Sequence, residues 1–321
     1  MGIFSKPEVI ILKESNSAKK YLELLEELLP KTSEEIKSKI EKEIIIVKAG
    51  IAGENNILFE LKNSNMDMYV LQDIYIETED GRGAQIDFIV ITEKITFFIE
   101  CKNLVGNIDS KGNFVRTVTY GRKKYKEGIY SPITQNERHM EIVKESKLEN
   151  RNLLAGMIVK KSFHSLNRSL VVLANPKTVL NDRYAKKEVK EKVIRADQLI
   201  TTIKKVAAES RLPSSSKKEM KEIAESFLKR NQENRKNYIE KYEELTKEIE
   251  LEKGNTSKVE ELKDNSTEES SLKETEMRLI CPKCGKQLVL RTARRGANAG
   301  RQFYGCSNFP KCRFIMNIVD E

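Results

Sequence analysis

The sequence predicts an α/β protein with a small cysteine-rich module, and three features predict it. Apolar residues first recur at helical spacing, through Tyr21, Leu22, Leu25, Leu28 and Leu29 and then Ile36, Ile40, Ile44, Ile45 and Val47. From Met68 the pattern becomes β-branched, aromatic and strand-like. Four of the five cysteines stand at 281, 284, 306 and 312.

Each element has a local reason. Pro30 separates two helices, because proline breaks a helix interior. Tyr69 to Ile76 reads as a strand, and Asp80-Gly81-Arg82-Gly83 as a turn. Ala84 to Ile91 and Ile95 to Cys101 form two strands joined by a very short loop. Residues 113–130 read as an irregular hairpin, Gln135 to Leu154 as a helix, Ser169 to Ala174 as a strand. Lys192 to Arg195 and Gln198 to Glu209 add a short strand and a helix. The expected organisation is an N-terminal helical segment (1–43), an α/β domain (44–212), a charged helix (213–252), a disordered linker (253–277) and a metal-stabilised ribbon (278–321). The charged helix carries 9 Lys/Arg and 10 Glu between 217 and 252. It is expected as a solvated spacer or a self-association helix. The linker is acidic and rich in Ser, Thr and Asn.

Composition narrows the function. The formal net charge of +9 over 321 residues favours a polyanionic partner, nucleic acid or a membrane surface. No apolar run reaches the ~18 residues of a membrane span, and the N-terminus lacks a secretory signal. Clustered rather than dispersed cysteines suit a metal site in a reducing cytoplasm.

Charge placed inside apolar strands is the most informative feature. Asp87, Glu100 and Lys102 interrupt the segments 84–91 and 95–102. Unpaired burial there would cost several kcal/mol. A hairpin centred between Glu93 and Lys94 pairs residues whose numbers sum to 187. Asp87 then faces Glu100 at about 5 Å between Cβ atoms, and period two puts Lys102 on the Glu100 face. Two adjacent carboxylates require a cation or a proton between them. Mg²⁺ or Mn²⁺ suits oxygen ligands, and Lys102 would orient or deprotonate water or stabilise phosphate charge. The competing reading is a structural Glu100–Lys102 ion pair with Asp87 capping a nearby donor.

Cys281-Pro282-Lys283-Cys284 and Cys306 with Cys312 form two short-range pairs separated by 21 residues. Four such thiolates can close a tetrahedral Zn²⁺ site, which would supply much of the module's folding energy. Arg294, Arg295, Arg301 and Arg313 interleave with Phe303, Tyr304 and Phe309, as do Arg291, Lys311 and Phe314. Cations for phosphates and rings for bases make a platform for single-stranded DNA. About half of these rings are expected instead in the ribbon's own core.

These residues carry two resemblances. Asp87 and Glu100-Cys101-Lys102 resemble the D…(D/E)xK signature of restriction-endonuclease-like nucleases. With Gly53-Glu54-Asn55, Gln85-Ile86-Asp87 and Ile99 to Asn103, the segment 44–175 resembles the nuclease-related NERD domain. The resemblance implies an αβββαβ core and a metal-dependent nuclease. It adds Glu54 as a helix carboxylate assisting the metal and Gln135, after Ser131-Pro132, as a substrate-positioning residue. A DNA-binding relic without activity is the alternative. Residues 280–318 resemble the C-terminal zinc repeat of bacterial type IA DNA topoisomerases, which implies single-stranded DNA binding. The topoisomerase catalytic domains have no counterpart, so strand passage is not implied.

Weaker signals remain. Tyr120-Gly-Arg-Lys-Lys-Tyr125-Lys126 suits either a phosphate-gripping or a merely solvated hairpin. His139 and His164 are expected at the surface or in helix packing, and Cys101 as a buried apolar residue.

Overall fold

The computed structural model describes residues 6–14, 16–109, 114–120, 123–149, 151–234, 238–261, 286–292 and 302–317. The chain divides into two compact bodies, residues 1–257 and 258–321.

In the first body, β1 (Val9–Lys13) and α1 (Ser17–Leu28) precede the long α2 (Glu34–Lys62). β2 (Met68–Glu77), β3 (Gly83–Ile91) and β4 (Thr96–Lys102) follow as a meander. β5 (Asn107–Asp109), β6 (Val115–Tyr120) and β7 (Lys123–Gly128) then lead into α3 (Pro132–Leu148) and α4 (Leu153–Leu166). The body continues through β8 (Asn167–Leu173), β9 (Val179–Asn181), α5 (Lys187–Lys192) and β10 (Val193–Arg195). It ends with α6 (Leu199–Glu209), α7 (Lys217–Leu228) and α8 (Glu240–Glu261). No described helix is long and apolar enough to cross a membrane.

The main sheet is mixed, with strand order β1-β2-β3-β4-β8-β10. β4 and β8 pair in parallel, which demands the crossover that α3 and α4 provide. Helix, three strands, helices and strand therefore occur in the expected α/β order. Alternation along the central strands covers both faces. Val70, Phe88, Val90, Phe97 and Ile99 pack with Ile57 and Leu61 of α2 and Ile203 of α6. Leu71, Ile89, Ile91 and Phe98 pack with Met140 and Val143 of α3 and Phe227 of α7. A second sheet, ordered β7-β6-β5-β9, takes β5, β6 and β7 from the chain between β4 and α3 and β9 from after β8.

Several expectations are corrected. The single helix over 135–154 is two helices, because the Asn152 side chain accepts from Ala155 N at 2.9 Å and starts α4 afresh. β1 is an added parallel edge strand built from the apolar run Val9-Ile10-Ile11-Leu12. The segment 213–252 is more than a spacer. Met220, Ala224 and Phe227 of α7 are buried against the sheet, and Ile249 of α8 packs with Tyr21, Leu25 and Ile40. Its Glu and Lys residues occupy the outward faces, so composition alone resembled a solvated helix.

In the second body, β11 (Leu288–Thr292), β12 (Gln302–Cys306) and β13 (Ile315–Asn317) form an antiparallel sheet. Most of the expected acidic linker lies outside the described residues.

Phe227→Ala is expected to destabilise the first body by about 3–5 kcal/mol, the cost of emptying a buried aromatic site. Chemical denaturation checks this, and a spacer role for α7 predicts no loss.

Candidate active site

The site forms where the regular β-ladder stops. β3 and β4 pair as Phe88↔Ile99, Ile89↔Phe98, Val90↔Phe97 and Ile91↔Thr96, the register summing to 187. Asp87 lies one step beyond that ladder. Its Oδ2 accepts a hydrogen bond from Cys101 N at 2.7 Å. A side chain thus takes over from the backbone where the strands part. β2 breaks at the same level: its pairs with β3 skip from Gln72↔Phe88 to Ile74↔Ile86. Asp73, at the gap, has φ of 58°, a conformation Asp tolerates better than most residues.

The expected residues converge on one cavity of about 290 Å³, whose walls include Glu54, Asp87, Glu100, Lys102 and Gln135. α2 brings Glu54 there by close approach: a Cβ on Gly53 would lie 2.7 Å from Asn103 Cβ, so only glycine lets the helix lie against the end of β4. α3 is pinned next to Gln135 by Asn136, whose Nδ2 donates to Phe98 O, Ser169 Oγ and Leu170 O at 2.9–3.1 Å.

Glu100 is 3 % exposed, and its Oε1 accepts from Lys102 Nζ at 2.7 Å. The same ammonium donates to Gln135 Oε1 at 3.1 Å. Gln135, expected to position substrate, contacts Lys102 here. Glu54 Oε2 accepts from Asn16 Nδ2 at 2.6 Å and Gln72 Nε2 at 2.8 Å.

Electrostatics follow from burial. Burial pushes the Asp87 carboxyl well above the usual range, and the nearby Glu100 and Glu54 charges add to the shift. Burial, reinforced by Asp73, lifts Glu54 to about 7 despite its amide donors. Burial pulls Lys102 down, but the Glu100 carboxylate more than offsets it, so Lys102 stays a cation. Burial pushes the Cys101 thiol up and leaves it protonated.

Sequence reasoning missed two participants. His139 lines the cavity, with Nδ1 3.5 Å from Glu100 Oε2 and no hydrogen-bond partner among the described residues. Burial lowers its pKa and favours the neutral imidazole. Its signal was the four-residue spacing from Gln135 on one face of α3. Asp73 also lines the cavity, and its signal was the polar pair Gln72-Asp73 inside an apolar strand.

A divalent cation fits this chemistry. Several carboxylates share the cavity with the Lys102 ammonium, and their mutual repulsion is what a cation would relieve. Among the described residues no group of three or more His, Cys, Asp or Glu forms a metal cage. Mg²⁺ does not need one, since it keeps several waters and binds one or two carboxylates.

In the ribbon, Cys306 and Cys312 are buried beside Leu288, with Tyr304 and Phe314 packed on them. Asn308 N donates to Cys306 Sγ at 3.4 Å, a donor that stabilises thiolate character. Phe309 is 58 % exposed and carries the Arg291 guanidinium 5.8 Å from its ring centroid. Arg313 is exposed and Phe303 half-buried. Cys281, Cys284, Arg294, Arg295 and Arg301 lie outside the described residues.

Residues 49–174 match the sequence profile of the nuclease-related domain. That stretch is similar to the domain, and the match covers less than half of the chain. Residues 279–321 match the topoisomerase DNA binding C4 zinc finger. An uncharacterized protein of Bacillus anthracis is 35% identical over 95 residues, covering 29% of this chain and 44% of that protein. DNA topoisomerase 1 of Methanocaldococcus jannaschii is 47% identical over 53 residues, 16% of this chain and 6% of the topoisomerase. Each alignment thus spans less than half of the relative's length. No solved structure matches.

Because the folded pKa of Glu54 is raised, its stabilising contribution is complete below about pH 4.5 and lost as pH rises through about 7. Glu54→Gln keeps an acceptor for Asn16 and Gln72. Without added divalent cation it is expected to flatten that slope and gain ~1–2 kcal/mol at pH 8, measured by denaturation across pH. A loss at pH 8 would contradict the assignment.

Proposed function

We propose that this chain is a metal-dependent nuclease that hydrolyses DNA phosphodiester bonds and holds its substrate with a zinc ribbon. The observation that carries the reading is the convergence of Glu54, Asp87, Glu100 and Lys102 on one cavity at a break in the sheet. Asp87 and Glu100 would hold Mg²⁺ or Mn²⁺, and Glu54 would assist from α2. Bound there, the cation supplies Lewis acidity at a phosphoryl oxygen and lowers the pKa of a water.

The protein's own groups divide the remaining work. Lys102 is a persistent cation, so it stabilises developing phosphate charge and is unsuited to deprotonating water. Gln135 fixes the Lys102 ammonium through its 3.1 Å contact and so acts as a positioning residue. Asp87 uses one oxygen to hold β4, which fixes the direction of the other. In the ribbon, Cys281, Cys284, Cys306 and Cys312 would bind Zn²⁺. Phe309 and Arg313 would contact a single strand, together with Phe303, Arg294, Arg295 and Arg301, whereas Tyr304, expected there too, packs on the ribbon's own cysteines. Lys123, Lys124 and Lys126 on the wholly exposed β7 have no acidic partner among the described residues and suit the phosphate backbone. Self-association through 217–252 gains less support, because Met220, Ala224 and Phe227 are already buried within the chain. The reading places the protein in the cytoplasm, with DNA.

One observation favours a second reading, a DNA-binding protein without hydrolysis. Glu100 Oε1 takes the Lys102 ammonium while Oε2 faces His139, so both oxygens meet protein groups. Incubation of labelled single-stranded, duplex and branched DNA with Mg²⁺ or Mn²⁺ separates the two. Cleavage that falls at least ~10²-fold in Glu100→Ala, with DNA binding kept, is expected for the nuclease. Binding without cleavage of any substrate supports the second reading.

A further inference from the structure

A second cavity, of about 510 Å³, adjoins the carboxylates and shares Asn16, Ser17, Asp73, Gln85 and Tyr238 with them. Its outer wall is formed by Asn231 to Asn234 and by Tyr238 and Ile239. The first stretch is tied to β2 where β1 no longer covers it: Gln232 N donates to Tyr75 O at 2.8 Å, and Asn231 Oδ1 accepts from Tyr75 N at 3.0 Å. The size is that of a small-molecule site. Tyr238, stacked on Tyr21 at 4.8 Å between ring centroids, lines it with Tyr75 and Tyr242. Lys20 adds a cation with no ion-pair partner among the described residues.

The hydrogen-bond polarity inside this cavity is fixed. The Asp73 carboxylate accepts from Ser17 N and Ser17 Oγ and also from Gln85 Nε2, so Gln85 must turn its amide nitrogen to it. Gln85 Oε1 then accepts from Asn234 Nδ2 at 2.9 Å. The relay leaves Asn234 Oδ1 as a buried acceptor with no donor among the described residues. An unmet buried acceptor selects a ligand that brings an N–H group.

Rings for stacking, a lysine for phosphate and an acceptor awaiting an amino group describe a nucleotide. We propose that this cavity receives one unpaired nucleotide, with a base bearing an exocyclic amino group, next to the scissile phosphate. The inference rests on the nuclease reading for that neighbour, and it makes a single-stranded or flipped-out nucleotide the preferred substrate feature.

The test is titration of the zinc-loaded full-length protein with 2-aminopurine deoxyribonucleoside 5′-monophosphate, read by fluorescence without added Mg²⁺ or Mn²⁺. Saturable quenching is expected. Affinity should fall at least ~5-fold in Asn234→Leu and in the surface variant Lys20→Glu, and persist in Arg291→Ala of the ribbon. Absence of quenching, or quenching equal in wild type and Lys20→Glu, overturns the proposal even if the protein cleaves DNA. Quenching with the expected losses but no cleavage keeps the pocket and removes the nuclease reading.

Discussion

Like charges held together at a break in a buried sheet are the constraint on which the rest depends. Asp87, Glu100 and Glu54 repel one another in a region of low polarity, where such repulsion is strong. The protein answers with the Lys102 ammonium and with amide donors from Asn16 and Gln72. Those donors reduce the strain without removing it. A fold that needed only stability would place apolar residues there.

The surrounding structure serves that convergence. The missing Cβ of Gly53 lets α2 reach the end of β4, and the triple hydrogen bond of Asn136 fixes α3 against β4 and β8. The left-handed Asp73 interrupts β2 so that β2 and β3 lose their pairing where the carboxylates gather. Beyond the end of β1, Asn231 and Gln232 take over the β2 edge at Tyr75, beside the adjoining cavity.

Much of this was legible in the sequence. The register from Phe88↔Ile99 to Ile91↔Thr96 follows from a short turn and alternation alone. Charges inside the β3 and β4 segments marked Asp87, Glu100 and Lys102, because burial makes ionised groups conspicuous. What escaped were features set by tertiary contact. Asp87 donates no ladder pairing to Glu100; its carboxylate binds the β4 backbone instead. The glutamates and lysines of α7 and α8 concealed sparse apolar faces that the sheet and α1 bury. His139 looked ordinary because one histidine on a helix carries no spacing of its own, and only its relation to Gln135 placed it. In the ribbon, the division of aromatics held for Tyr304 and Phe314 inside and Phe309 outside.

The central claim, that these carboxylates are gathered to bind a divalent cation, is tested most directly by Mn²⁺ binding to the zinc-loaded protein, followed by electron paramagnetic resonance. The account predicts at least one bound Mn²⁺ in the wild type and its loss in Asp87→Asn and Glu100→Gln. Equal binding in all three proteins, or none at millimolar Mn²⁺, would contradict it.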